Sequence, residues 1–230
     1  CMKTIGLIGG MSWKSTQTYY RLINQKVRKQ LGGLHSARII LCSVDFAEIE
    51  TLQHKGDWDE TAKILISAAQ SVKAGGADFL LICTNTMHIV APQIEQACAT
   101  PLLHIADATA NALIKDGITS VGLLGTRFTM EQTFYRERLE EQGINVIIPD
   151  DSERDAVHII IYEELCQGII NPDSKTAYLE IVDSLAARGA KAVILGCTEI
   201  GLLIQASDTR VALYDTTEIH AAQAVEFALI

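Results

Sequence analysis

Two cysteines stand where α/β proteins commonly do chemistry. The stretch "LLICTNTMH" (80–88) closes an apolar run in Cys83, and "VILGCTEIG" (193–201) closes another in Cys197. Each follows a run that reads as a buried strand, and each precedes what reads as a helix. The unpaired N–H groups at a helix start favour a thiolate there and also bind carboxylates. Thr84, Asn85, Thr86 and Thr198 add hydroxyl and amide donors beside the two thiols. Two thiols on either side of a small ligand suit one kind of reaction. One removes a proton from carbon as thiolate, the other returns a proton to the opposite face, and the carbon is inverted. Such a site must stabilise an enediolate with preorganised donors and bring the thiols toward the working pH. A strand-end cysteine taken alone is more simply a small core residue. The case for chemistry rests on there being two, each followed by threonine. Cys42, Cys98 and Cys166 have no such partner and read as buried thiols, and Cys1 is given no role.

The elements that must place these residues repeat. "IGLIGGMSWKSTQTYYRLI" from Ile5 matches "VGLLGTRFTMEQTFYRERL" from Val121 at an offset of 116 residues. Gly6 meets Gly122, Gly9 meets Gly125 and Tyr19 meets Tyr135. "FLLICTN" matches "VILGCTE" at an offset of 114, with Cys83 against Cys197 and Thr84 against Thr198. Strands are expected at Thr4–Ile8, Arg38–Val44, Phe79–Cys83 and Leu102–Ile105, and again at Ser120–Leu124, Asn145–Ile148, Ala192–Gly196 and Val211–Tyr214. Helices are expected near 15–30, 58–74, 87–98, 106–115, 129–142, 153–167, 174–188 and 216–229. Near-continuous apolar strands alternating with helices mark a mostly parallel sheet covered on both faces. The expected fold is therefore α/β, with two similar domains carrying mostly parallel four-stranded sheets related by pseudo-two-fold symmetry. The first domain takes 1–105 plus 215–230 and the second 106–214, with the active site in the cleft between them.

Composition limits the partners. The chain has 230 residues and a net charge of -9. An acidic surface argues against nucleic acid or an anionic membrane as partner. The sequence holds no apolar run long enough to span a bilayer, and "CMKTIGLIGG" has no signal-peptide layout, so a cytoplasmic protein is expected. "GLIGG" is not a dinucleotide fingerprint. Cys83, His88 and Cys197 lack the spacing of a metal site, so no metal is expected. "EQTFYRERLEEQ" reads as a solvated helix face.

"CTNTMH", "GCTEIGLL", "GLIGGMSWKST" and "LLGTRFTM" together resemble the aspartate/glutamate racemase family, over essentially the whole chain. The resemblance implies a cofactor-independent racemase that works between two α/β domains, uses Cys83 and Cys197 as acid and base, and forms a homodimer. It places Met11 and Ser12 in the site, sets Thr84, Asn85 and Thr86 on the substrate α-carboxylate, and puts Thr126 and Thr198 opposite them. Glu199 meets the substrate ammonium or orients the second thiol. Some members carry an Arg where this chain has "EIETLQHKG", with Gln53 as the occupant, and a Lys where this chain reads "ELCQG" with Cys166. Both cations suit the distal carboxylate of an acidic substrate. Without them, the expected range is aspartate, glutamate or a broader set of amino acids. Related two-thiol enzymes, the hydantoin racemases and maleate isomerases, are the alternatives within the same chemistry. A non-catalytic protein that binds acidic metabolites is the alternative outside it.

Overall fold

The computed structural model describes residues 1–230, which divide into two compact units: Cys1–Ile105 with His220–Ile230, and Ala106–Ile219. The first unit holds three parallel strands, β1 (Ile5–Gly9), β2 (Ile39–Ser43) and β3 (Phe79–Ile82), in the order β2-β1-β3. Its helices are α1 (Trp13–Leu31), α2 (Phe46–Lys55), α3 (Trp58–Ala74) and α4 (Ala91–Ala97), with a 3₁₀ turn at Thr86–Val90. The second unit begins within α5 (Ile105–Lys115) and holds β4 (Ser120–Gly125), α6 (Arg127–Glu131), α7 (Thr133–Glu140), β5 (Asn145–Ile147), α8 (Asp151–Glu163), α9 (Pro172–Ala187), β6 (Ala192–Gly196), α10 (Ile200–Leu203) and β7 (Ala212–Asp215). Its parallel sheet runs β5-β4-β6-β7. The last helix, α11 (Thr216–Leu229), crosses the division at Ile219. No helix is long and apolar enough to cross a membrane.

In the first unit, successive side chains of a strand take opposite faces. Leu80 and Ile82 join Ile8 in a core with Leu65, Ala69 and Val72 of α3 and Ile94 of α4. Phe79, Leu81 and Cys83 join Ile5 and Leu7 in a second core with Tyr19, Ile23 and Val27 of α1 and Ala221, Ala224, Val225 and Ala228 of α11. In the second unit, Leu124, Val193 and Leu195 pack on Val157 and Ile161 of α8 and on Tyr178, Val182 and Leu185 of α9.

Three expectations change. The fourth strand of the first sheet shrinks to one bridge, Leu80 to Leu102, because α5 begins at Ile105 and ends the extended run. Residues 46–55, given no element from sequence, form α2, with Asp45 accepting the Ala47 N–H at its start and Gly56 left-handed at φ 71° at its end. The helix expected at 129–142 is two, broken where Gln132 turns extended.

Candidate active site

In the first unit, β1 runs into a tight turn. Gly10 has φ 96°, and its N–H donates to Thr16 Oγ1 at 2.8 Å. Met11 is buried in the α3/α4 core rather than presented at the turn. Ser12 is buried at the start of α1, its carbonyl accepting the Thr16 N–H at 3.2 Å. Gln53, on α2, is 2% exposed and donates to Met87 Sδ at 3.0 Å, which ties α2 to the turn after β3.

That turn starts at Cys83. Its N–H donates to Ile8 O at 2.9 Å and its carbonyl accepts from Ser15 Oγ at 2.8 Å. The thiol itself is fully buried in the α1/α11 core. Burial drives it far above the ordinary thiol range, where the helix-start expectation had lowered it. Thr84 is half-buried, and Asn85 and Thr86 are buried. His88, considered from sequence only as a metal ligand, holds this turn. Its Nδ1–H reaches Thr84 O at 2.7 Å and Asn85 O at 3.2 Å, while Nε2 accepts the Ile105 N–H at 3.2 Å. These contacts suit the tautomer with its proton on Nδ1. No three His, Cys, Asp or Glu side chains gather as a metal site.

In the second unit, Thr126 caps α6, its Oγ1 accepting the Thr129 N–H at 3.3 Å. Gly125 pairs with Gly196, so Thr126 and Cys197 leave the sheet side by side. A Cβ on Gly196 would lie 2.6 Å from Leu124 O, so the backbones can run this close only with glycine there. Cys197 is 9% exposed, and its Sγ–H donates to Glu199 Oε2 at 3.1 Å. The Thr198 hydroxyl donates to the same oxygen at 2.8 Å. Of the two roles the sequence left open for Glu199, it takes the second here and orients the thiol. Burial first, then the charges of Glu199 and Cys166, hold Cys197 well above the ordinary thiol range, against the pull of a Glu199 backbone bond. Glu199 is nonetheless an acceptor in place for the thiol proton.

The sheet register decides which residue repeats Cys197. Gly6 and Gly9 of β1 correspond to Gly122 and Gly125 of β4, so Ile8 corresponds to Leu124. Ile8 pairs with Ile82, and Leu124 pairs with Leu195. Ile82 therefore corresponds to Leu195, Cys83 to Gly196, and Thr84 to Cys197. The sequence match of Cys-Thr with Cys-Thr is one residue out of step with the strands. Cys83 continues the alternation of Phe79 and Leu81 into the core, and the position that matches the second thiol carries a hydroxyl.

A parallel α/β unit present twice, with a buried thiol–carboxylate pair at a strand end, is an arrangement that can carry proton-transfer chemistry. The family follows from comparison with known proteins. Residues 8–224 match the family described as Asp/Glu/Hydantoin racemase, and the chain belongs to that family of racemases. It is 60% identical to a protein from Yersinia pestis that is assigned to the Asp/Glu racemases, over 100% of both chains with TM-score 0.92. It is 34% identical to an aspartate racemase homologue from Pyrococcus horikoshii OT3, again over 100% of both chains, with TM-score 0.86. Among curated relatives, the broad specificity amino-acid racemase RacX of Bacillus subtilis (strain 168) is 24% identical over 96% of each chain.

Proposed function

We propose that the protein interconverts the enantiomers of aspartate, glutamate and a wider set of amino acids without a cofactor, with Cys197 as one acid/base group and Thr84 as the residue that serves the other face of the α-carbon. The observation that carries this reading is the register: Thr84, half-buried, matches Cys197, and Cys83 does not. Cys197 gives its proton toward Glu199 and takes the α-proton as thiolate. The Thr84 hydroxyl then donates a proton to the planar carbanion from the opposite face and is reprotonated by water. The names of the relatives support an amino-acid substrate, and RacX supports breadth. Gln53 and Cys166 are neutral, which favours a broad range over strict aspartate specificity, since charge-assisted hydrogen bonds are about twice as strong as neutral ones. We take the working form as a cytoplasmic homodimer, which sedimentation of the purified protein tests for its assembly.

Incubation with single enantiomers in deuterated water, following α-deuterium and configuration together, tests the mechanism. One enantiomer is expected to gain deuterium with retained configuration faster than it inverts. Cys197→Ser should abolish both processes, Thr84→Val should abolish inversion while leaving exchange, and Thr84→Cys should bring inversion up toward the exchange rate. Dialysis against a chelator and a carbonyl trap should leave the wild-type rate unchanged. Loss of all turnover in Cys83→Ser, with Thr84→Val unaffected, would restore the two-thiol reading and overturn the role of Thr84.

A further inference from the structure

The thiol turn of the second unit has a neighbour that sequence motifs do not single out. β6 and β7 pair with Leu195 opposite Asp215. The next residue opens α11, which puts Thr217 in its first turn. Two contacts hold the chain there. Thr216 Oγ1 donates to Leu195 O at 2.8 Å. Asp215 Oδ2 lies so close to Gly201, just past the turn, that a Cβ on that glycine would sit 2.8 Å from it. Thr217 therefore follows directly on a segment held at Leu195 and against Gly201, the two ends of the turn that carries Cys197, Thr198 and Glu199.

Thr217 is 1% exposed, and its Oγ1 has no hydrogen-bond partner. The groups around it are matched. The amides of Thr217 and Glu218 donate to Asp215 Oδ1 at 3.0 and 3.3 Å, and the Thr216 hydroxyl has Leu195 O. A buried hydroxyl left unpaired is costly, and native proteins keep few of them. At the start of α11, this hydroxyl is the donor left over once Asp215 has taken the amides. The Glu199 carboxylate at this turn already accepts from the Cys197 thiol and the Thr198 hydroxyl. What the turn lacks is a donor for a carboxylate.

We propose that Thr217 Oγ1–H hydrogen-bonds a carboxylate oxygen of the amino acid bound at Cys197, an inference that rests on the racemase reading above. Thr217→Val keeps the shape and removes the hydroxyl, Thr217→Ala removes it in case valine crowds the turn, and Thr217→Ser retains it. For each variant, KM and kcat for racemisation, the inhibition constant of the amine-free dicarboxylate succinate, and the melting temperature without ligand are measured. Removing one hydrogen bond to a charged group is expected to raise KM and the succinate constant by roughly tenfold to a hundredfold. Thr217→Ser is expected to stay near wild type. The melting temperature of the hydroxyl-free variants should stay the same or rise, because no protein bond is lost. A fall in melting temperature with unchanged KM and succinate binding would make the hydroxyl structural and overturn the proposal. If the wild type acts on no amino acid, the racemase reading fails separately, and equal succinate binding by wild type and Thr217→Val then overturns the role of Thr217.

Discussion

Replacing Cys83 by serine separates a core thiol from a catalytic one. The side chain is fully buried among Ile5, Leu7, Tyr19, Phe79, Leu81 and the alanine face of α11. Serine has nearly the same shape, so what changes is one hydroxyl in an apolar pocket. Burying a hydroxyl without a partner costs about 1–3 kcal/mol in mutational data. For a chain of this size, about 2–4 °C of melting temperature goes with each kcal/mol, so the expected drop is roughly 2–12 °C. Cys83→Ala, which leaves a small apolar void instead, should cost roughly 1 kcal/mol. In both variants, kcat per folded molecule should stay within about threefold of wild type if, as proposed, the thiol moves no proton in the reaction. Loss of an acid/base group would instead cost about 10²- to 10⁴-fold in rate. Calorimetry, with racemisation assayed well below the transition, gives both numbers from one preparation. A Cys83→Ser enzyme that melts with wild type and has lost at least a hundredfold in kcat would refute the assignment of Cys83 to the core.

Burial and the Glu199 and Cys166 charges hold the Cys197 thiol high, so kcat/KM should climb with pH as thiolate forms, and Glu199→Gln should move that limb to lower pH; iodoacetamide alkylation across pH reads the same thiol without turnover. His220, fully buried, is pushed down to about 4 by burial, against the pull of its bond to Leu103 O. The unfolded chain binds that proton near pH 6.5, so the folded state is favoured above 6.5 and loses about 3 kcal/mol as pH falls from 6.5 toward 4. Denaturation at both ends of that window checks the slope, and His220→Leu should flatten it while lowering stability overall, since it removes the buried hydrogen bond of 2.6 Å between Nδ1 and the Tyr19 hydroxyl. Gly196→Ala drives a Cβ to 2.6 Å from Leu124 O, which is backbone and cannot swing away; a loss of about 1–3 kcal/mol in unfolding free energy and a lower kcat from a displaced Cys197 are expected.

The fold was legible because both sheets are parallel. Strands such as Ile5–Gly9 and Ala192–Gly196 are buried at every position, so they read as unbroken apolar runs. α2 escaped because its ten residues have a weak apolar face, although Asp45 before it and Gly56 after it were the punctuation to read. The site was half legible. Cys197 and Glu199 stand at the end of a strand as the motif suggests. Cys83 was matched to Cys197 by identity of letters across the repeat, whereas the sheet counts by pleat. Phe79, Leu81 and Cys83 share a face, and that period of two was present in the sequence. Thr217 carried no signal, since what sets it apart is a buried hydroxyl without a partner, which only the folded chain shows.

An unequal pair is compatible with racemisation, and thermodynamics says where the inequality must show. The two enantiomers are equal in free energy, so kcat/KM must be the same in both directions whatever the two groups are. A thiol near a carboxylate and a hydroxyl differ greatly as bases, and that difference cannot appear as a preferred direction. It appears in the barrier profile instead. With the proposed pair, proton transfer on the Cys197 face is the lower step, and transfer on the Thr84 face is the higher one, crossed in either direction. The enantiomer whose α-proton faces Cys197 crosses the lower step many times before it inverts, so it exchanges with solvent faster than it racemises. The other enantiomer must cross the higher step first, so its exchange cannot outrun its inversion. Two matched thiols would give equal exchange-to-inversion ratios from both sides. The ratio from each enantiomer therefore reports the identity of the second base directly, without any mutation.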